Sequence, residues 1–359
     1  MDLLPEWAPN VHPLLVHFPI ALLCTAVLLD AAGLLLRTNP FWRRGATTLF
    51  VLGAAGAVAA FFSGRAAADS VLPPAAANPV LTEHADLALW TVWFFGVYAV
   101  VRLVAHRFDR TATPAVAWAL FLVGAGGLVL LYETGEHGAE LVFAYGVGVR
   151  AAAEPAAPLV LPADTTAGPV PTGDGGWAWK PARAAAWKAR FAWPEGPPDA
   201  LHTALVDGGP RGDVLALEAA SGPVTFLHQQ PIGSLQADLA VHLDDFTGAF
   251  RFVHHWQDAQ NHHFVALEDG HIRQGRVAGG REEVMDEAPL APSAWLALRV
   301  VADGTHFRAY VDGRLVVHGH GPAPSPGPAG LRLDGTGTVL LDHLTVQNLR
   351  PAQDAGHDH

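Results

Sequence analysis

The chain has 359 residues, half of them hydrophobic, and a formal net charge of −12. This acidic balance argues against nucleic acid as a partner, because phosphates require a basic protein surface. Cys24 is the single cysteine, which excludes a disulfide framework and any zinc or c-type haem site built on cysteines. The hydrophobic excess lies in the first 150 residues and the remainder reads as a soluble β domain, so two domains are expected.

Four apolar segments lie in the first part of the sequence, each close to or above the length of a membrane-spanning helix. They cover residues of about 14–36, 46–62, 87–105 and 115–132. The N-terminus has no basic region ahead of its apolar run, which favours a retained membrane helix over a cleaved signal peptide. We therefore predict an all-α, four-helix transmembrane domain over residues 1–150, in contact with the lipid bilayer.

The distribution of arginines predicts the orientation of these helices. Six arginines mark the two short connections: Arg37, Arg43, Arg44, Arg102, Arg107 and Arg110. The long connection 63–86 carries Arg65 alone. Because cytoplasmic loops are enriched in positive charge, the short connections are expected on the cytoplasmic side. The prediction is an inner-membrane protein with both termini and everything after the fourth helix in the periplasm.

This topology collects four histidines at one end of the bundle. The extracytoplasmic end carries His12, His17, His84 and His137, and the cytoplasmic end carries His106. Two of the four could ligate a b-type haem, while zinc or copper would accept three or four. Carboxylate ligands are available nearby: Glu133, Glu136 and Glu140. We predict a haem b or a transition metal at the four histidines, serving electron transfer. Interfacial polar capping is the alternative.

The same region resembles the DUF2231 family of four-helix bacterial membrane proteins. The resemblance rests on His12-Pro13-Leu14-Leu15-Val16-His17-Phe18-Pro19, on His84, and on the stretch from Gly138 to Val149. It covers residues of about 8–150. Members often have a histidine where Tyr145 stands, so the sequence departs from the family there. The family's histidine pattern and its frequent occurrence together with cytochromes imply a haem or redox role.

The remainder of the chain divides into a spacer, a β domain and a tail. Residues 151–176 are rich in Ala, Pro and Gly, which predicts an extended linker. Residues 177–350 show short alternating runs separated by turn signals, which predict an all-β jelly-roll sandwich. The last nine residues, 351–359, are predicted to be a disordered tail whose His357 and His359 are at most adventitious metal ligands.

A tryptophan-rich stretch opens the predicted β domain. It contains Trp177, Trp179, Trp187 and Trp193. Amphipathic aromatic rings also favour membrane surfaces, so two placements are open. We predict the first strand of the domain and its flank, with the membrane surface as the alternative.

The order of motifs in the β domain resembles concanavalin A-like and laminin-G-like jelly rolls, including a domain linked to 3-keto-disaccharide hydrolysis. The segments that carry the resemblance are 250–253, 257–265, 295–300, 307–313 and 330–333. Members of these families include sugar binders, adhesion modules and enzymes. The resemblance therefore implies the fold and leaves a glycan among the candidate partners.

Two histidine pairs flank the predicted turn at 257–260 of the β domain. In a regular hairpin His254 would face His263, and His255 would face His262. Such cross-strand pairs could bind zinc or copper, and plain packing is the alternative. The acids Asp258, Glu268 and Asp269 could serve glycan hydrolysis as a pair, but two of them occupy turn positions.

Three functions therefore remain open on the sequence alone. The predicted one is a redox protein with a haem or metal site and an attached β-sandwich. The second is a non-catalytic scaffold whose helices anchor a domain that binds a glycan or a subunit of a larger membrane complex. The third is a membrane-tethered glycan hydrolase. It is the least favoured, because the sequence shows no clear set of catalytic residues.

Overall fold

The computed structural model of the protein describes residues 10–36, 39–149, 168–181, 187–220, 222–290 and 294–350. The chain forms two compact units, Met1–Ala153 and Glu154–His359. Most of the predicted linker and the whole predicted tail, 351–359, lie outside the described residues.

The first unit consists of membrane-length helices, as the sequence predicts. These are α1 (His12–Leu15), which leads into α2 (His17–Leu36), then α3 (Phe41–Ala68), α4 (Asn78–Arg107) and α5 (Pro114–Phe143). They form four candidate spans of 25 to 33 residues with mean hydropathy between 1.8 and 2.2. Helices of this length and composition can cross the hydrocarbon layer of a bilayer. The predicted four-helix class is confirmed.

Two of these helices extend well past their apolar segments. Helix α4 begins at Asn78 instead of about residue 87, and α5 ends at Phe143 instead of about residue 132. The added turns are polar, so hydropathy alone missed them, yet they continue the same backbone hydrogen bonding. As a consequence His84 and His137 lie inside helices, although both fall outside the predicted apolar segments.

Glycines allow close packing between neighbouring helices of the bundle. A Cβ at Gly53 would lie 2.6 Å from the Leu23 side chain, and one at Gly127 would lie 2.2 Å from the Phe94 ring. Small residues permit such approach where packing, not water exclusion, holds helices together. Helix α5 runs through Gly127 without a break.

A buried ion pair joins α2 to α4. The guanidinium of Arg102 contacts both carboxylate oxygens of Asp30, with Nη2 2.8 Å from Oδ1. Its Nη1 also donates to the Tyr98 hydroxyl at 3.0 Å, and its Cζ lies 4.6 Å from the centroid of the Phe50 ring. Arg102 is 1% exposed, so it is not the loop marker that the arginine count assumed.

The second unit is a large antiparallel sheet folded into a sandwich that approaches a barrel. Its strands are β1 (Val170–Pro171), β2 (Trp177–Trp179), β3 (Ala192–Glu195), β4 (Leu201–Asp207), β5 (Asp213–Ala219), β6 (Pro223–Ile232), β7 (Leu235–His242), β8 (Phe246–Asp258), β9 (Asn261–Glu268), β10 (His271–Ala278), β11 (Arg281–Pro289), β12 (Leu296–Asp303), β13 (His306–Val311), β14 (Arg314–His320) and β15 (Gly327–Asn348). The predicted all-β sandwich is confirmed. The sheet begins inside the predicted linker, because β1 pairs with β2.

The 22-residue strand β15 holds the two layers of the sandwich together. Its first part pairs with β8 on one side and β6 on the other. Its second part pairs with β7, and with β5 and β2 on the opposite side. The longest path through the sheet runs β11-β10-β9-β8-β15-β7-β12-β13-β14. One strand therefore contributes to both layers, which closes the sandwich around a single core.

The core of the sandwich is lined by aromatic residues from the start of the unit. Trp177, Trp179 and Trp187 are fully buried, and the rings of Trp179 and Trp187 lie 5.0 Å apart. Each such side chain removes about 150–250 Å² of surface from water. The predicted role of this stretch as strand and flank is confirmed, and the membrane-surface alternative is wrong for these three residues.

Tight turns set the register of the hairpins as the sequence predicts. Asp269 and Gly270 have φ values of 50° and 72°, and Asp312 and Gly313 have 50° and 77°. Two positive φ values in a two-residue loop define the type I′ turn, whose twist matches that of the flanking strands. The second turn joins β13 to β14 and aligns Val311 with Arg314.

Candidate functional site

The ring of His84 packs against helix α5 near one end of the bundle. Its Nδ1 lies 2.9 Å from the carbonyl oxygen of Thr134, and the Thr134 hydroxyl in turn lies 2.8 Å from that of Thr91. A Cβ on Gly138 would lie 3.1 Å from the imidazole. Thr134 and Gly138 are one helical turn apart on α5. Thr134 supplies the hydrogen-bond acceptor for this ring, and Gly138 leaves the space for it.

His12 packs against α3 in a similar manner. Its Nδ1 lies 3.1 Å from the Ser63 hydroxyl oxygen, which itself donates to the carbonyl of Ala60 at 2.9 Å. A Cβ on Gly64 would approach the imidazole to 3.0 Å. The residue after the hydrogen-bonding serine is thus a glycine that leaves space for the ring.

His137 lies on α5 one residue before Gly138. Its Nδ1 is 2.9 Å from the carbonyl oxygen of Glu133, and its Nε2 is 3.5 Å from the Glu83 carboxylate on α4. Ligand atoms of Glu133, Glu136 and His137 all lie within 4.8 Å of one another. Two of the carboxylates that the sequence offers as ligands are therefore beside a predicted histidine.

The hydrogen bonds assign the same tautomer to all three imidazoles. A carbonyl oxygen can only accept, so Nδ1 of His84 and of His137 must donate. The proton of the Ser63 hydroxyl is engaged by Ala60, so Nδ1 of His12 donates to the Ser63 oxygen. In each neutral ring the lone pair is then on Nε2. Metal-binding histidines in proteins show this arrangement, in which the second nitrogen donates to a carbonyl or other acceptor.

The predicted four histidines are not equivalent in the structure. His84 lies within electrostatic range of both His12 and His137. His17, at the start of α2, has an exposed side chain. These three packed rings are the candidate site, which we call the membrane histidine cluster. They are not one of the groups of described residues whose possible ligand atoms all lie within 4.8 Å of one another. The place of His17 in the cluster stays a prediction.

Three of the four histidines predicted in the β-sandwich form a second buried group. The ring centroids of His254, His255 and His263 lie 4.9 to 5.9 Å apart. The ring of His262 instead stacks on Trp256 at 4.4 Å. The pairing of His254 with His263 is confirmed. The pairing of His255 with His262 is wrong.

A bulge in β8 explains this error. The ladder with β9 is regular up to His254 and resumes at Asp258, which pairs with Asn261. Three residues of β8 therefore oppose one residue of β9, and His255 adopts a φ of 51°. A bulge turns a side chain away from the alternation that a regular strand would impose. The rings of two successive residues, His254 and His255, thereby come together.

The buried histidine group is held uncharged at neutral pH. Nε2 of His255 donates to the carbonyl of Gly233 at 3.2 Å, so its Nδ1 accepts the 2.7 Å hydrogen bond from Nδ1 of His254. Burial away from water lowers the pKa of His255 to about 4. Burial, followed by repulsion from His255 and Arg276, lowers the pKa of His263 to about 4. A neutral imidazole is the form that binds metals, and metal binding here stays a prediction.

The acidic residues considered for hydrolysis serve turns and ion pairs. Asp258 accepts from the backbone N–H of Gln260 at 2.7 Å and from the Asn261 amide at 3.0 Å. Glu268 pairs with Arg273, and Asp269 occupies the left-handed position of its turn. These contacts account for the three acids as hairpin structure.

One family model matches the first unit. Residues 8–151 match the family model described as "Predicted membrane protein (DUF2231)". The resemblance of the N-terminal unit is thereby confirmed over the residues predicted for it. The four membrane-length helices and this match together identify the chain as a predicted membrane protein. No curated protein matches the chain.

Solved structures resemble the β-sandwich. The carbohydrate-binding module CBM66 from Bacillus subtilis is 19% identical, with a TM-score of 0.34, over 41% of this chain and 95% of that one. A galectin-like protein of unknown function from Bacillus subtilis is 9% identical, with a TM-score of 0.35, over 45% and 90%. One of unknown function from Shewanella oneidensis MR-1 is 10% identical, with a TM-score of 0.38, over 53% and 93%. Likenesses at these values carry no inference about ligand or activity.

Two further groups of residues are not among those predicted from the sequence. One is Asp30, an acidic residue within an apolar run. Burying a carboxylate in a membrane costs free energy, so its presence there indicates a buried partner, which is Arg102. The other group is His306, His318 and His320, which brings one possible ligand atom of each ring within 4.8 Å of the others. The spacing of His318 and His320 by two residues in a strand predicts a common face, and that signal was overlooked.

Proposed function

We propose that the membrane unit binds a b-type haem or a redox-active transition metal through His12, His84 and His137. The observation that carries the proposal is that Nδ1 of each of the three rings donates to an oxygen, which leaves Nε2 as the possible ligand atom. In His137 this Nε2 faces the Glu83 carboxylate at 3.5 Å. Two of these imidazoles would serve as axial ligands of a haem, whereas a single copper or iron ion would require the three rings to approach one another. Bound there, either group would supply reversible one-electron chemistry.

The residues around the rings support this role by fixing their orientation. The carbonyls of Thr134 and Glu133 hold His84 and His137, and the Ser63 hydroxyl holds His12. The carboxylates of Glu83 and Glu136 lie within 3.5 Å of ring nitrogens of His137. Negative groups at this distance favour binding of a cation and offer additional oxygen ligands.

We further propose that the membrane histidine cluster and the β-sandwich lie on the periplasmic side of the inner membrane. Arg102 is buried and leaves the count. Arg43 and Arg44 in α3, Arg107 at the end of α4 and Arg110 after it still outnumber Arg65 on the opposite side. The site would then exchange electrons with a periplasmic or membrane-bound redox partner, and the sandwich would be open to a glycan or a neighbouring subunit.

The first test is spectroscopic. The full chain is purified in detergent, and oxidised and dithionite-reduced absorption spectra are recorded alongside elemental analysis of the same sample. We expect either a Soret band with sharp reduced α and β bands, or copper or iron in stoichiometric amount. Replacement His84→Ala should abolish the signal, because it removes the ring that lies within range of both other histidines.

Two matched variants control this test. His106→Ala removes a histidine from the same helix at its opposite end and should leave the signal unchanged. His17→Ala decides whether the exposed fourth histidine belongs to the site. A wild-type protein without chromophore or metal, or equal cofactor content in His84→Ala and His106→Ala, would contradict the proposal and favour the scaffold function.

A further inference from the structure

A third group of histidines lies on the hairpin formed by β13 and β14, separate from the groups described above. His306 pairs directly with His320 across the hairpin, and Arg308 pairs with His318. Residues two apart in a strand share a face, so the three histidines lie on the same side of the sheet. Phe307 and Val317, which alternate with them, lie in the hydrophobic core. The histidines therefore occupy the face turned away from that core.

The three rings are close enough to share one ion. The centroid of the His320 ring lies 4.7 Å from that of His306 and 4.7 Å from that of His318. One ring nitrogen from each histidine lies within 4.8 Å of the other two. Tetrahedral zinc with Zn–N bonds of 2.0–2.1 Å needs nitrogens about 3.3 Å apart. The rings would have to approach one another by side-chain rotation to hold a single tetrahedral ion.

The burial of the three rings increases from the edge of the hairpin inward. His306 is 4% exposed and sits on a strand paired on both sides, with β12 and β14. His318 is half-buried and His320 is exposed. His306 would thus be the buried ligand of a cation, and the cation could enter from solvent past His320. Sites with three protein ligands and one open position are typical of exchangeable or catalytic metals.

The charged groups around the hairpin are largely compensated. Asp286 on β11 accepts a hydrogen bond from the backbone N–H of His318 at 2.7 Å, which brings a carboxylate next to the group. Asp303, the register partner of His306, is paired with Arg350 at 2.9 Å. Arg308 adds one positive charge on the same face. Neutral imidazoles rather than carboxylates would therefore supply the ligands, which favours a borderline cation over calcium or magnesium.

We propose that His306, His318 and His320 form a site for a borderline divalent cation, with Zn²⁺ as the preferred probe. The fourth position would hold water or an exogenous ligand. This site is independent of the membrane histidine cluster, so either proposal can fail while the other stands.

The test uses the full chain in detergent, stripped of metal with EDTA. The background carries His84→Ala and His137→Ala to remove the membrane histidine cluster, and His357→Ala and His359→Ala to remove tail ligands. Zn²⁺ is titrated against a chromophoric chelator, and Co²⁺ binding is followed by its visible ligand-field bands. We expect one Zn²⁺ per chain and intense, tetrahedral-type Co²⁺ bands.

Replacement of the exposed His320 by alanine should weaken Zn²⁺ binding at least about tenfold and abolish the tetrahedral Co²⁺ bands, because one of three ligands is lost. His318→Ala provides the second ligand variant. His202→Ala, an exposed histidine on β4, is the matched control and should bind like its background. Unchanged affinity in both ligand variants would overturn the proposal. A loss as large in His202→Ala would do the same, since it would show adventitious binding.

Discussion

At the residue scale, the imidazoles of this protein differ chiefly in what their nitrogens contact. Nδ1 of each ring in the membrane histidine cluster donates to a fixed oxygen, so Nε2 is the atom that the proposed ligation would use. In the sandwich, His254 and His255 share a hydrogen bond between their own nitrogens. Identical side chains thus make different hydrogen bonds in the two units.

The buried group of His254, His255 and His263 predicts acid sensitivity of the sandwich. Their pKa values in the folded protein lie below the usual 6.5, at about 4 for His255 and His263. The unfolded chain therefore binds more protons than the folded one between pH 6.5 and 4. Stability is fully present above pH 6.5 and is lost as pH falls toward 4. A shift from 6.5 to about 4 corresponds to roughly 3 kcal/mol per group at 1.36 kcal/mol per unit.

This expectation is checked by urea unfolding of the full chain at pH 7, 6, 5 and 4.5 in EDTA, followed by tryptophan fluorescence. His263→Phe keeps the stacking on Phe307 and should flatten the dependence of unfolding free energy on pH. His202→Gln, an exposed histidine, should leave the slope unchanged. A pH profile that is the same in all three proteins would show that the buried group does not titrate in this range.

At the scale of the elements, the pair of Asp30 and Arg102 connects helices α2 and α4. The pair is buried and surrounded by Tyr98, Thr47 and the ring of Phe50. Removing one member leaves the other charge buried without compensation, which typically costs about 3–5 kcal/mol. Removing both costs much less.

We therefore expect Arg102→Met to lower the thermal midpoint of the detergent-solubilised protein strongly, and Asp30→Leu with Arg102→Met to recover much of the loss. Arg107→Met, at the exposed end of the same helix, should change the midpoint little. Circular dichroism at the helical signal measures all three. Equal destabilisation by the single and the double variant would indicate that packing, not charge compensation, is lost.

At the scale of the whole molecule, the proposed orientation has a direct test. Alkaline phosphatase fused after Arg350 should be active in cells, because the enzyme needs the oxidising periplasm for its disulfides. Green fluorescent protein fused at the same place through the general secretion route should be dark. The reverse pattern would place the sandwich in the cytoplasm and would contradict the arginine-based topology.

Local pattern was sufficient for much of this architecture. Four apolar runs predicted four helices, and alternation with Asp-Gly turns predicted the sandwich, because both depend on short-range periodicity. The polar ends of α4 and α5 were not predicted, since hydropathy reports the environment of a helix and not its hydrogen bonding. The bulge at His255 was missed because alternation assumes a regular ladder.

By itself, the sequence determined the number of helices and the class of both units. It also predicted that four histidines lie near one membrane face. Only the tertiary structure decided which atoms meet. It set the tautomers of His12, His84 and His137 through oxygens about 50 residues away in the chain or one helical turn away. It joined Asp30 to Arg102, and it brought His306 beside His318 and His320. Such contacts depend on three-dimensional register, and periodicity along one strand or helix carries no information about the neighbour it will face.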